Sequence, residues 1–466
     1  MLTGRTYSRL GRCIEGFVVA GFLGLGLGLA VLSARPVQAA EKAVAKVESS
    51  MKIQEVLSPG GISAWLVEEH SVPLIAVRFA FSGGSSQDPE GKPGLANLLS
   101  VMLDEGAGDL DAEAFQLRME EIAMRMSFQA GRDTFYGSFQ SLTQYRDDAT
   151  DLLRLAITKP RFDGPAVERL RSQILAKLAF AAKDPNQVAS KSWVGKAFPN
   201  HPYGRPSSGT TESVPLIKAA DLEAFRSRVF AREHLKISVV GDIDAKALGV
   251  LLDKVFGGLP EKAKLVAVAP IKLAGKDRLN VVNLPVPQSV VVFGTQGLAR
   301  SDPDFIPAFV MNHILGGGGF ASRLMEQVRE KRGLAYSVYS YLQHYKAAEM
   351  FAGHVATKNE KVGETLKIIK AELVRMATDG PSAKELENAK SYLTGSYALR
   401  FDTSSKIASQ LLGIQIDNLG LEYVSKRNSM IDAVTIEDAK RAAKRVLGTN
   451  GLIVTVVGQP KDLPEG

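Results

Sequence analysis

Val72-Pro73-Leu74-Ile75-Ala76-Val77-Arg78-Phe79-Ala80-Phe81 reads as a turn opening onto an apolar strand. The same device returns 214 residues later, where Val286-Pro287 precedes a second apolar run, Val290 to Phe293. Two more landmarks keep the spacing. Asp163-Gly164-Pro165 recurs as Asp379-Gly380-Pro381, 216 residues on, and the strand-closing Val239-Val240-Gly241 recurs as Val456-Val457-Gly458, 217 residues on. Each piece alone is common in turns. Three in one order at nearly one offset argue for two homologous halves.

Each half reads strand, helix, strands, long helices, strand. In the first, helices are expected near 92–104, 111–123, 147–157, 164–183 and 219–229, with strands near 74–82, 125–130, 133–141 and 235–240. In the second, helices fall near 304–314, 320–330, 359–377, 382–399 and 435–446, with strands near 335–343, 348–355 and 451–457. Strand runs adjoining helix runs predict an α+β fold: two α/β-layer halves, each an antiparallel-rich sheet with helices on one face. The first domain is expected over 40–257 and the second over 277–466. The connector 258–276 holds Pro260, Pro270 and several lysines and reads as a solvated linker.

Residues 1–39 read as a secretory leader. Arg5, Arg9 and Arg12 precede an apolar run from Phe17 to Leu32, and Val37-Gln38-Ala39 offers the small residues a signal peptidase reads. The expected location is the periplasm. The single cysteine, Cys13, lies in this leader, which excludes disulfides and a thiolate zinc site from the remainder. Setting aside Arg5, Arg9, Arg12, Arg35 and Glu15 takes the formal charge from +7 to +4. So mild an excess gives no reason to expect nucleic acid as a partner.

Gly94-Leu95-Ala96-Asn97-Leu98-Leu99-Ser100-Val101-Met102-Leu103 carries the chemical question. In context it resembles the zinc helix of the pitrilysin/insulinase (inverzincin) family of metallopeptidases, whose helix carries H-x-x-E-H. Further resemblance lies in Pro202-Tyr203-Gly204, Gly209-Thr210, Leu315-Gly316-Gly317-Gly318, Ser322-Arg323-Leu324 and, most specifically, Arg329-Glu330-Lys331-Arg332-Gly333-Leu334-Ala335-Tyr336. It spans nearly all of the exported chain and implies two halves closing like a clam-shell over a peptide. By this resemblance the three chemical positions of the helix fall on Asn97, Ser100 and Val101. An amide, a hydroxyl and an alkyl group cannot replace two imidazoles and a general base. The family's glutamate ligand falls on Lys177, whose ammonium would repel a zinc ion.

The resemblance also implies what is kept. Arg329 and Tyr336 hold the positions that bind substrate near the scissile bond in the family. An arginine offers fixed donors to a carbonyl or oxyanion, and a tyrosine hydroxyl adds one more. Read without the resemblance, Arg329 to Arg332 is a charged helix end stopped by Gly333. Gly316, Gly317, Gly318 and Gly319 read physically as a flexible break between two helices; the resemblance implies a substrate-handling loop. No two histidines have metal-site spacing. His344 and His354 fall on adjacent strands, where they could face each other, and His201 and His313 read as packed.

The expected function is the zinc-free subunit of a heterodimeric metallopeptidase, inactive alone. It would close the peptide chamber and present Arg329 and Tyr336, while a homologous partner brings H-x-x-E-H and the zinc. No cofactor is expected in this chain. The rival is a peptide-binding or scaffold protein with no role in hydrolysis.

Overall fold

The computed structural model describes residues 51–273, 278–448 and 451–463. The leader read at 1–39, with Cys13, lies outside the described residues. The first half contains strands β1 (Ile53–Leu57), β2 (Ser63–Glu68), β3 (Leu74–Ser82), β4 (Arg125–Ala130), β5 (Thr134–Leu142) and β6 (Lys236–Gly241). Its helices are α1 (Leu95–Met102), α2 (Ala112–Glu121), α3 (Arg146–Thr158), α4 (Gly164–Ala181), α5 (Pro185–Ala197), α6 (Ala219–Val229) and α7 (Ala245–Phe256). The second half has β7 (Arg278–Asn283), β8 (Gln288–Gln296), β9 (Ala335–His344), β10 (Glu349–Lys358) and β11 (Ile453–Gly458). Its helices are α8 (Phe305–Asn312), α9 (Val362–Asp379), α10 (Ala383–Gly395), α11 (Ser404–Ile416), α12 (Tyr423–Asp432) and α13 (Ile436–Leu447).

Two sheets form, ordered β1-β2-β6-β3-β5-β4 and β7-β11-β8-β10-β9. With β1 set aside, the two have the same plan. The first pair, β2–β6 or β7–β11, is parallel, and every later pair is antiparallel. The repeat read from three turns is thus a repeat of strand pairing. Strict alternation sets the faces. Val77, Phe79 and Phe81 on β3 and Phe135 and Phe139 on β5 enter the first core with helices of their own half. Phe293 and Phe351 do the same in the second.

The opposite faces are covered by exchange. Helix α5, from the first half, lies on β8 and β11 of the second sheet, with Trp193 and Ala189 against Val290, Val292 and Val457. Helix α11, from the second half, lies on β3 and β6 of the first, with Ala408 and Leu411 beside Trp65, Val67 and Val240. Both are pinned to a central strand's backbone. Trp193 Nε1 donates to the Ile453 carbonyl at 2.9 Å, and Gln415 Nε2 to the Ile237 carbonyl at 2.9 Å. Each sheet therefore turns its second face toward the other half. A contact between hairpin tips adds to this: the Tyr203 hydroxyl donates to Asp133 at 2.7 Å, while Lys346 N donates to the same carboxylate at 2.9 Å. Burial and the adjacent Asp133 push the Tyr203 pKa well up, so its hydroxyl stays a donor.

Residues 258–273 of the connector touch both halves and are tied down at intervals. Val266 exchanges two bonds with the Gln87 side chain, Ile271 N donates to Ala347 O, and Ala269 O meets His201.

Candidate functional site

The altered helix α1 begins at a close glycine contact. Gly94 takes φ +96°, and a Cβ there would sit 2.7 Å from Gly209 Cα, so both glycines are needed for the helix to start against that loop. The buried Asp88 carboxylate accepts from Gly94 N at 2.8 Å and Ala96 N at 2.9 Å. Burial pushes Asp88 up to about 7, against the pull of those bonds. Further along, the Ser100 hydroxyl donates to the Asn97 carbonyl at 2.8 Å, and Val101 packs on the first core. Helix α4 crosses α1 and leaves Lys177 exposed.

These residues do not fit a zinc ion. Asn97, Ser100 and Val101 share one helix, Lys177 lies on its neighbour, and none is an imidazole or a carboxylate. Among the described residues no three His, Cys, Asp or Glu come together as a metal-binding group. A partial rebuild tests this reading. The triple change Asn97→His, Ser100→Glu and Val101→His should bind zinc weakly until Lys177→Glu is added, because a catalytic zinc needs three protein ligands of suitable charge. Isothermal titration of both variants decides; tight binding by the triple variant would misplace Lys177.

The second half builds a different site. Helix α8 runs on into a π-helical turn, His313–Gly317. Asn312 and Ser340 clip it to β9: Asn312 Nδ2 donates to Ser340 O at 3.2 Å, and Ser340 Oγ to Asn312 Oδ1 at 2.8 Å. A Cβ on Gly316 would lie 2.4 Å from Ser340 Oγ, and one on Gly317 would lie 2.9 Å from Asn312 Nδ2. The glycine run is thus not a flexible break. Gly316 is glycine because the helix end lies hard against β9, and Gly317 and Gly318 because their Cβ atoms would strike Asn312 and His313 of their own helix. Gly319, at φ +58°, then turns the chain and leaves Phe320 66% exposed.

A second π-helical turn, Met325–Glu330, carries Arg329, and Gly333 at φ +61° ends it with its N–H bonded to Arg329 O at 2.8 Å. Strand β9 starts two residues later and holds Tyr336 out, 85% exposed. The Arg329 guanidinium lies 4.5 Å from the Phe320 ring centre and 5.1 Å from that of Tyr336. The structure thus brings Arg329 and Tyr336 together and adds Phe320, which the sequence reading had not marked. Such pairs contribute about 0.5–1 kcal/mol each at exposed sites. They order the guanidinium, while among the described residues no carboxylate forms an ion pair with it. Its donors stay available for a carbonyl or carboxylate oxygen.

Arg323, from the Ser322-Arg323-Leu324 string, anchors this segment. It is buried, with Nε 2.6 Å and Nη2 2.7 Å from the two Glu385 oxygens, and Nη2 also donates to Gly380 O at 2.9 Å. Burial alone would raise Glu385; the Arg323 and Ser382 bonds outweigh it and hold the carboxyl at about 2. Because that pKa is depressed, the stabilisation is complete above the ordinary value of 4.5 and is lost as pH falls toward 2. Arg323→Ala should cost about 2–3 kcal/mol at neutral pH, below the figure for a fully buried pair because Glu385 keeps some water. Urea unfolding at neutral and acid pH should show the penalty shrinking with acid. A penalty independent of pH would remove the ion pair from the account.

The histidines are otherwise engaged. His344 pairs across the sheet with Glu349, and His354 with Tyr339, so the two do not face each other. His344 bonds Asp417 at 3.1 Å, His354 bonds Asn186 at 3.0 Å, and His313 stacks on Tyr392. His201 bridges Ala269 O and Tyr203 N.

Two sheets of one plan and a clamped arginine, with no metal-binding group of His, Cys, Asp or Glu among the described residues, define the class: a two-half scaffold of the metallopeptidase kind. Residues 65–211 match the family model described as Insulinase (Peptidase family M16), and residues 217–393 match that described as Peptidase M16 inactive domain. The chain belongs to this insulinase family and is an inactive member of it. It is similar to the non-peptidase homolog YmxG of Helicobacter pylori, 27% identical over 395 residues, covering 84% of this chain and 91% of that protein. It is also similar to the mitochondrial-processing peptidase subunit beta of Lentinula edodes, 23% identical over 80% of this chain and 83% of that one. The crystal structure of a peptidase M16 inactive domain from Pseudomonas fluorescens superposes with a TM-score of 0.82 at 29% identity, over 89% of this chain and 100% of that one. A protease from Helicobacter pylori shares the fold, with a TM-score of 0.80 at 18% identity over 88% of this chain and 99% of that one.

Proposed function

We propose that this chain is the non-catalytic subunit of an exported, heterodimeric zinc endopeptidase. It holds no zinc itself. A homologous partner supplies H-x-x-E-H and the metal, and this chain closes the peptide chamber and presents Arg329 and Tyr336 to the substrate. The leader read over 1–39 supports a periplasmic location for the complex. The observation that carries the reading is the Arg329 clamp. A guanidinium ordered between Phe320 and Tyr336, with its donors free, is retained in a chain whose four metal and base positions are replaced. That arrangement suits a group that holds a peptide oxygen and is not needed by a purely structural scaffold.

The test is purification of the native complex from cells that export it. The expected result is a second chain of similar size bearing H-x-x-E-H, zinc that leaves with that chain, and chelator-sensitive peptidase activity only when both are present. Peptidase activity of this chain alone, or a native complex without a zinc-binding homologue, would defeat the proposal.

A further inference from the structure

On the inner face of the first sheet, the strip beyond α11 carries charge of one sign. On the first sheet, the strip between α11 and the free edge is built from the inward residues of β6, β3, β5 and β4. Cross-strand register aligns Lys236, Ala80, Tyr136 and Gln129 in one row, Arg78, Ser138 and Ser127 in the next, and Ala76, Gln140 and Arg125 in a third. Every charged side chain in the strip is a cation: Arg78, Arg125 and Lys236. Among the described residues none of the three has an ion-pair partner. Arg78 donates only to neutral groups, from Nε to the Ser409 hydroxyl of α11 at 3.2 Å and from Nη1 to the Val77 carbonyl at 3.4 Å.

The facing strip of the second sheet is tyrosine, imidazole and amide. Tyr339 pairs with His354, Tyr341 with Ala352 and Gln343 with Met350. The exchanged helices α5 and α11 contain no carboxylate. The carboxylates at the margin are engaged: Asp417 lies 3.6 Å from Arg300 and 3.1 Å from His344, and Asp133 accepts from Tyr203 and Lys346. An interior strip lined by three unpaired cations and by hydroxyl and amide groups, with Asp417 ion-paired and Asp133 hydrogen-bonded at its margin, favours negative charge and repels positive charge.

We propose that the segment taken between these inner faces is an acidic, extended peptide, with its carboxylates on Arg78, Arg125 and Lys236 and its backbone against the tyrosine and amide rows. This rests on the chamber role proposed above and names its substrate class. Charge selects here more than fit does, so the preference should weaken as salt rises.

The test uses the full exported chain and three fluorescein-labelled peptides of equal length, alike except for glutamate, serine or lysine at alternate positions. Anisotropy at low and at raised salt gives the affinities. The glutamate peptide should bind roughly ten-fold more tightly than the lysine peptide, with the gap closing at high salt. The double change Arg125→Glu and Lys236→Glu lies on strand surfaces away from Arg329, and should invert the order while leaving the thermal midpoint near that of the parent. Equal affinities, a lysine preference, no binding of any peptide, or a single-stranded oligonucleotide displacing the glutamate peptide would each overturn the proposal. The zinc-bearing partner is tested separately by co-purification, so a failure of charge selection leaves that reading standing.

Discussion

In the assembled complex, Arg329→Ala should lower kcat by about 10²–10³, with subunit association and zinc content unchanged. The guanidinium is ordered by Phe320 and Tyr336 and is free of carboxylates, so its donors are set for an oxygen that gains charge in the reaction. Tyr336→Phe separates two roles of the tyrosine. It keeps the ring over Arg329 and removes only the hydroxyl, so any loss belongs to that donor. Phe320→Leu does the reverse, loosening the clamp without removing a donor, and should cost less than either. If the contacts form equally in the bound substrate, KM rises with kcat nearly unchanged. The Arg329→Ala/Tyr336→Phe double variant should be less than additive, since both groups hold one stretch of peptide. Steady-state cleavage of several peptides gives the answer. Normal turnover in both single variants would reduce the pair to a helix end and an exposed ring, and the scaffold reading would stand.

Trp193→Ala should cost about 3–5 kcal/mol and lower the urea midpoint accordingly. Trp193 is fully buried between the halves, against β8 and β11, and its Nε1–H satisfies Ile453 O at 2.9 Å. Truncation leaves a cavity and removes that bond from the contact that holds the two sheets face to face. The site across from it is equally specific. A Cβ on Gly294 would fall 2.5 Å from the Trp193 ring and 2.6 Å from Phe351 O. Gly294→Ala should therefore destabilise by about 1–3 kcal/mol through overpacking, and by less in the Trp193→Ala background, where one of the two clashes is gone. A Trp193→Ala loss below 1 kcal/mol would mean that the exchanged helix is not what joins the halves.

Much of the candidate site was open to sequence reading because its parts lie close together in the chain. Arg329 and Tyr336 are seven residues apart, and the turn between them is fixed by Gly333 at φ +61°. Asn97, Ser100 and Val101 share two turns of one helix. Phe320 was missed because nothing in a lone phenylalanine after a glycine run shows that it will cover an arginine nine residues on. The one available sign was its position: an apolar ring directly after Gly319 has no neighbouring helix turn to bury it. The flexible-break reading of the glycine run does not hold for Gly316 to Gly318, where a Cβ would clash. Flexibility and close approach use the same residue, and only Ser340, across on β9, shows that close approach decided Gly316.

The sequence by itself determined the two halves, most of their strands and long helices, and that Asn97, Ser100, Val101 and Lys177 carry no metal-coordinating imidazole or carboxylate. These are local matters: alternation of apolar residues, turn residues at a constant offset, and side chains that either can or cannot coordinate a metal. What only the tertiary structure decided is how the halves engage. Helices α5 and α11 went unread because their sequences, Pro185–Ala197 and Ser404–Ile416, are mostly small and polar with a narrow apolar stripe. A helix of that kind has no strong periodic signal of its own. It forms because a sheet from the other half, far away in the chain, offers Gly294 to Trp193 and the Ile237 carbonyl to Gln415. Such complementarity exists only between surfaces that are already folded, so no window of sequence contains it.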